Sequence, residues 1–165
     1  MRSLPVILLI GFAGVALAAP TESQRPDDQI APKALQLQHQ ARDLIAAGKL
    51  EQAEDLLETS LAVDPRNRSA FVDMARVAEK QRLFGKAIRM TNKALLMEPN
   101  DPDAIAVQGE AMVEMGAVPR AQANLQKLHQ ICGAKSCPQV AELTAAIGRG
   151  PTVASAKAPE TPKKD

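Results

Sequence analysis

The chain has 165 residues, 45% of them hydrophobic, with a formal net charge of +1. Only 2% are aromatic: three Phe, no Trp and no Tyr. This length sets a prior of one domain, and the near-neutral charge gives no global field for nucleic acid or anionic lipid. Scarce aromatics exclude base-stacking platforms and aromatic cages. The 29 Ala and 17 Leu point to close-packed helices, because both residues are strong helix formers whereas strands favour β-branched and aromatic residues.

In chain order, residues 1–18 (MRSLPVILLIGFAGVALA) read as a signal peptide. Arg2 supplies the positive end, Leu4 to Leu17 the apolar stretch, and Ala16-Leu17-Ala18 the small-x-small cleavage site. Cleavage is expected after Ala18, which implies a periplasmic or secreted product with no stable membrane insertion thereafter. Residues 19–32 are polar and Pro-rich and are expected to form a flexible leader.

From Ala34 onward the chain repeats every 34 residues, in units 34–67, 68–101 and 102–135. Ala53, Ala87 and Ala121 fall in register, as do Ala41, Ala75 and Gly109, and the larger sets Leu37, Phe71, Ile105 and Leu50, Phe84, Val118. Each unit reads as two amphipathic helices whose apolar faces need a neighbour to be buried. In the middle unit Phe71, Met74, Ala75 and Ala78 have the i, i+3, i+4, i+7 spacing of one helical face, and Phe84, Ala87, Ile88 and Thr91 have it on the next helix. Gly48 and Gly116 mark turns between the paired helices, with Arg82 at the equivalent place in the middle unit. Asp101 before Pro102 reads as an N-cap followed by proline at the first helical position. Pro138 opens a final helix, 138–148, with Val140, Leu143 and Ile147 on one face, as the cap of the array. Residues 150–165 lack apolar periodicity and read as a disordered tail.

These residues resemble the tetratricopeptide repeat, particularly as it occurs in exported bacterial proteins. Pro65 and Pro99 stand at the closing-proline position, with Gly133 in the third unit. Leu37, Phe71 and Ile105 stand where Trp is frequent in the family, and Leu44, Ala78 and Met112 where Tyr is frequent. The resemblance implies an all-α solenoid of three helix-turn-helix repeats plus the C-terminal capping helix. It also implies a concave groove lined by the first helix of each repeat. On this register the groove residues are Gln38, Arg42, Val72, Arg76, Glu79, Ala106, Glu110 and Val113, expected to run from a basic N-terminal end to an acidic C-terminal end. Gln38, Asp73 and Asp103 depart from the Lys, Asn and Lys of the subclass that clamps the C-terminal carboxylate of chaperone tails.

Cys132 and Cys137 are the only cysteines. In an exported chain an even count suggests a disulfide, here between the third repeat and the cap. A redox-active pair, a metal site with His129 and two buried thiols are the other readings. The spacing is not CxxC, and structural zinc usually takes four ligands. His129 shares its register with Leu61 and Leu95 and reads as a partly buried packing residue. His39 is the remaining imidazole. No nucleophile elbow, zinc-helix motif or phosphate-binding glycine loop occurs. The sequence thus points to a non-enzymatic scaffold or adaptor that binds a protein or peptide, without a cofactor, metal or nucleic acid. A self-assembly module, giving a homo-oligomer, and a thiol-dependent envelope redox accessory are the alternatives.

Overall fold

A computed structural model describes residues 29–133 and 137–152, and every regular element among them is an α-helix. The seven helices are α1 (Pro32–Ala46), α2 (Leu50–Val63), α3 (Arg68–Lys80), α4 (Phe84–Met97), α5 (Pro102–Glu114), α6 (Val118–Cys132) and α7 (Pro138–Arg149). The all-α helical array expected from the repeat is what this chain forms. The expected signal peptide and most of the expected leader and tail lie outside the described residues.

Helices pair as α1 with α2, α3 with α4 and α5 with α6, and each pair packs on the next. The odd-numbered helices also touch one another in succession, α1 on α3, α3 on α5 and α5 on α7. The row therefore curves around the odd-numbered helices, which form its inner face.

Alanine sets the approach distance. Ala41, Ala53, Ala75, Ala87 and Ala121 are all fully buried at the crossings. Leu57, Ile105, Leu128 and Leu143 fill the spaces between them and are at most 1% exposed. Phe71 is buried in the middle of the array, with Phe84 packed beside it. On the outer face Lys93 Nζ lies 5.4 Å from the Phe71 ring centroid.

Caps and turns fix the helix ends. The side chains of Asn67 and Asp101 accept from the backbone N–H of Ala70 and Ala104, at 3.3 and 3.0 Å, satisfying first-turn donors of α3 and α5. α1 has no side-chain cap of its own. Instead Asp64 accepts from the Ala31 N–H at 2.8 Å, while Arg66 donates to the Gln29 carbonyl at 3.0 Å. Residues 29–31 are thereby held against the start of α3, and Pro32 begins α1 inside the stretch expected to be leader. Arg66 beside Asp64, with the Ala31 N–H, overrides burial and holds that carboxyl down to about 2.

His129 is exposed, contrary to its expected packing role. Leu61 and Leu95 are covered because another helical pair follows each of them. Among the described residues the single helix α7 follows α6, and it leaves the His129 side of α6 exposed.

Candidate functional site

Asp73 organises the inner face at its N-terminal end. It is 2% exposed and accepts from Gln38 Nε2 at 2.6 Å and from Arg42 Nε at 2.7 Å. Arg76 reaches it at 3.4 Å and donates its other nitrogen to Asp103 Oδ1 at 2.9 Å. Gln139 Nε2 of α7 donates to that same Asp103 oxygen at 3.0 Å. One polar ladder thus crosses α1, α3, α5 and α7. Behind it Asn67 donates to Gln38 Oε1 and Ser60 Oγ, both at 3.1 Å, and Ser60 donates to the Ala34 carbonyl at 2.8 Å. Every side-chain member of this inner set is buried, and its polar groups are met by hydrogen bonds.

Farther along, the inner face opens into a cleft of about 520 Å³ between α3, α5 and α7. Arg76, Glu79, Lys80, Val107, Glu110, Glu142, Ala145 and Arg149 line it. Burial raises the Glu79 carboxyl to about 8, helped by the charge of Glu110 and opposed by Arg76 and Lys80. Burial also raises Glu110, with Glu142 pushing the same way and Arg149 and Arg76 pulling down. Arg76 also serves Asp73 and Asp103, which leaves Lys80 and Arg149 as the other cations of the cleft.

The eight sequence-derived groove residues therefore divide. Arg76, Glu79 and Glu110 meet in the cleft, and Arg42 lies on the exposed side of the ladder. Gln38, Val72, Ala106 and Val113 are buried in the seams between helices. The expected basic end is neutralised by Asp73 and Asp103. Sequence reasoning saw those two residues only as departures from a clamp pattern; the sign of Asp73, one turn before Arg76, was the one local signal. It also missed Glu142, Ala145 and Arg149, which α7 brings to the cleft wall.

Cys132 and Cys137 are bonded to each other, with Cα atoms 5.9 Å apart, and this bridge joins α6 to the start of α7. Among the described residues no group of three His, Cys, Asp or Glu side chains is placed to hold a metal ion.

Residues 44–110 match the tetratricopeptide repeat family, and the helical array continues that register on both sides. Over those residues the chain is similar to that family. Several solved structures share this tetratricopeptide fold. The Sgt2 TPR domain from Aspergillus fumigatus superposes with a TM-score of 0.66 at 18% identity, over 72% of this chain and 79% of that one. The TPR2B domain of yeast Sti1, solved as a pHsp70 complex, gives 0.65 at 16% identity over 72% and 98%. The type III secretion translocator chaperone SycD of Yersinia enterocolitica, in an alternative dimer, gives 0.63 at 18% identity over 72% and 89%. No curated protein sequence matches the chain.

Proposed function

We propose that this protein is a non-enzymatic adaptor that binds an extended segment of a partner protein through the inner face of its repeats. The observation that carries the reading is the cleft between α3, α5 and α7, where Glu79, Glu110 and Glu142 share one space with Lys80 and Arg149 while Arg76 is engaged by Asp73 and Asp103. A segment bearing Lys or Arg can pair with Glu110 and Glu142, and the groove walls give it direction. The similarity to the yeast Sti1 domain, solved as a pHsp70 complex, supports a protein or peptide ligand. The ligand class differs, however: Asp73 and Asp103 engage Arg42 and Arg76, which leaves no unpaired cation there for an anionic chain terminus. The signal-like residues 1–18 support action in the periplasm or outside the cell.

The test uses a photo-reactive side chain at Ala145, which is exposed on the cleft wall, and a control at Lys93 on the outer face. In the native compartment the Ala145 probe is expected to give a discrete protein adduct that the Lys93 probe does not. Adding Glu110→Lys with Glu142→Lys should abolish that adduct while the fold persists. Equal adducts from both faces, or an adduct indifferent to the charge reversal, would reject groove binding. Sedimentation across concentration separates this reading from self-assembly, which alone makes the mass concentration-dependent.

A further inference from the structure

We infer that the α3–α5–α7 cleft exchanges a proton for its guest: the carboxyl cluster of Glu79, Glu110 and Glu142 holds one proton in the free protein and releases it to solvent when a Lys or Arg side chain enters. This rests on the cleft being a peptide site, as proposed above, and adds the regulation of that site by pH.

Three helices bring these carboxyls to one space. Glu79 comes from the last turn of α3, Glu110 from the second half of α5 and Glu142 from the first half of α7. The frame around them resists spreading. Gln139 near the start of α7 donates to Asp103 near the start of α5. Just beyond the end of α7, the Thr152 N–H and hydroxyl both donate to Glu114 Oε2 at the end of α5, at 2.9 and 2.7 Å. Between these ties Gly109 admits the fully buried Leu143. Arg76 joins α3 to α5 through Asp103. Like charges held together in this way are relieved by a proton more readily than by movement.

The charges of the cleft close only with that proton counted. Arg76 is shared between Asp73 and Asp103. Lys80 and Arg149 then match two of the three glutamates, and a proton neutralises the third. Glu79 is the member that keeps it. Burial raises its carboxyl to about 8, and Glu110 and Glu114 push the same way against Arg76 and Lys80. The other helices packed on α3 bring it no counter-charge: Arg42 of α1 is taken by Asp73, and Glu54 of α2 pairs with Lys86 of α4 beside Gln81. An entering ammonium or guanidinium adds one positive charge, so all three carboxyls can ionise with the net charge unchanged. One cation enters and one proton leaves. Affinity for the guest therefore rises with pH until the free cleft loses its proton unaided, near pH 8. Below that point it falls by up to about tenfold per pH unit, as linkage requires.

The test places the cation on the protein itself. Ala145 is exposed on the cleft wall, so Ala145→Lys sets an ammonium there without disturbing the core. Ala145→Arg offers a longer cation, and Ala145→Gln is the uncharged control. In the full chain, with Cys132 and Cys137 left bonded, carbon-13 in the glutamate carboxyls is followed by NMR from about pH 4 to about pH 9. One cleft carboxyl, that of Glu79, is expected to stay protonated at neutral pH. Ala145→Lys or Ala145→Arg should lower its midpoint by about one pH unit, a tenfold change in proton affinity, and Ala145→Gln should leave it in place. Three ionised cleft carboxyls at neutral pH overturn the inference, and so does a midpoint that neither cation moves. The photo-reactive side chain at Ala145 separates this inference from the adaptor reading. Partner adducts that form several-fold better at about pH 8 than at about pH 6 support the exchange. Adducts indifferent to pH leave the adaptor standing and remove only the exchange. Loss of the adduct at every pH removes the adaptor reading itself, and the exchange with it.

Discussion

Gly109 lies directly against Leu143: a Cβ at Gly109 would come within 2.7 Å of both Leu143 methyl carbons. The equivalent positions in the first two repeats are Ala41 and Ala75, both fully buried. α7 therefore approaches α5 more closely than that alanine register allows, and the whole Leu143 side chain is buried by this approach. Gly109→Ala is expected to destabilise the fold by about 1–3 kcal/mol through overpacking. Denaturant unfolding measures the loss, and hydrogen exchange should place it on α7. Leu143→Ala alone removes a fully buried leucine and should cost about 2–5 kcal/mol. Combined with Gly109→Ala the two losses should fall short of additivity, because they share one contact. Strict additivity would show that the close approach is not the source of the loss.

Arg82 has φ +62°, while Gly48 and Gly116 at the equivalent turns have +73° and +76°. The middle turn thus holds a side chain in the left-handed region, which disfavours any residue with a Cβ. Arg82 is exposed, so replacement leaves the core unchanged. Arg82→Gly should stabilise the protein by roughly 0.5–1 kcal/mol, the relief of the backbone being partly offset by glycine's freedom in the unfolded chain. A rise in the urea midpoint with an unchanged slope is the expected reading.

Periodicity made the fold legible. Ala at fixed offsets, larger apolar residues three or four positions before them, and the closing prolines together define the helix pairs. Asp101 and Pro102 marked a helix start by local chemistry alone. The site was less legible, for a physical reason. Groove positions followed from the register, but which charges remain available depends on partners far apart in sequence. Arg42 and Asp73 are 31 residues apart and Arg76 and Asp103 are 27 apart, and no local pattern announces such pairs. Glu142, Ala145 and Arg149 belong to a capping helix outside the repeat, so the register did not carry them into the groove. His129 failed in the opposite way: the register predicted burial, and the end of the array removed its neighbour.

Asp73 is the member of the inner-face ladder with most at stake. It serves Gln38, Arg42 and Arg76 while almost wholly buried. Asp73→Ala leaves the Gln38 amide without its acceptor and loosens both arginines, whose side chains are 47% and 38% exposed and so recover solvation. The expected loss is about 1–3 kcal/mol, the penalty for an unmet buried donor. Arg42→Ala should cost less than 1 kcal/mol, as exposed ion-pair partners generally do. A larger effect from Arg42 than from Asp73 would contradict the ladder.

The Cys132–Cys137 bridge closes a short loop, so its removal should cost about 2 kcal/mol on the chain-entropy account. The double change Cys132→Ser with Cys137→Ser is expected to lower the unfolding midpoint and raise hydrogen exchange first in α7. Intact mass after alkylation without reductant tests the bond in the native protein. No mass increase is expected; addition of two alkyl groups would show free thiols.

Glu79 makes stability depend on pH. Its carboxyl is raised from 4.5 to about 8 in the folded protein, first by burial and then by Glu110, against Arg76 and Lys80. Between these values the folded state holds a proton that the unfolded state has released, so stability falls as pH rises. The contribution is fully present below about pH 4.5 and lost by about pH 8. The slope should amount to on the order of 1–3 kcal/mol across this window, reduced from the full shift because the site is partly open to solvent. Glu79→Gln removes the titrating group while keeping its shape. It should flatten the dependence and leave the variant more stable than the parent at pH 8, with little difference at pH 4. Unfolding by urea at a series of pH values measures both curves. Parallel curves would mean that Glu79 is not the group responsible, whereas convergence at low pH and separation at high pH would assign it.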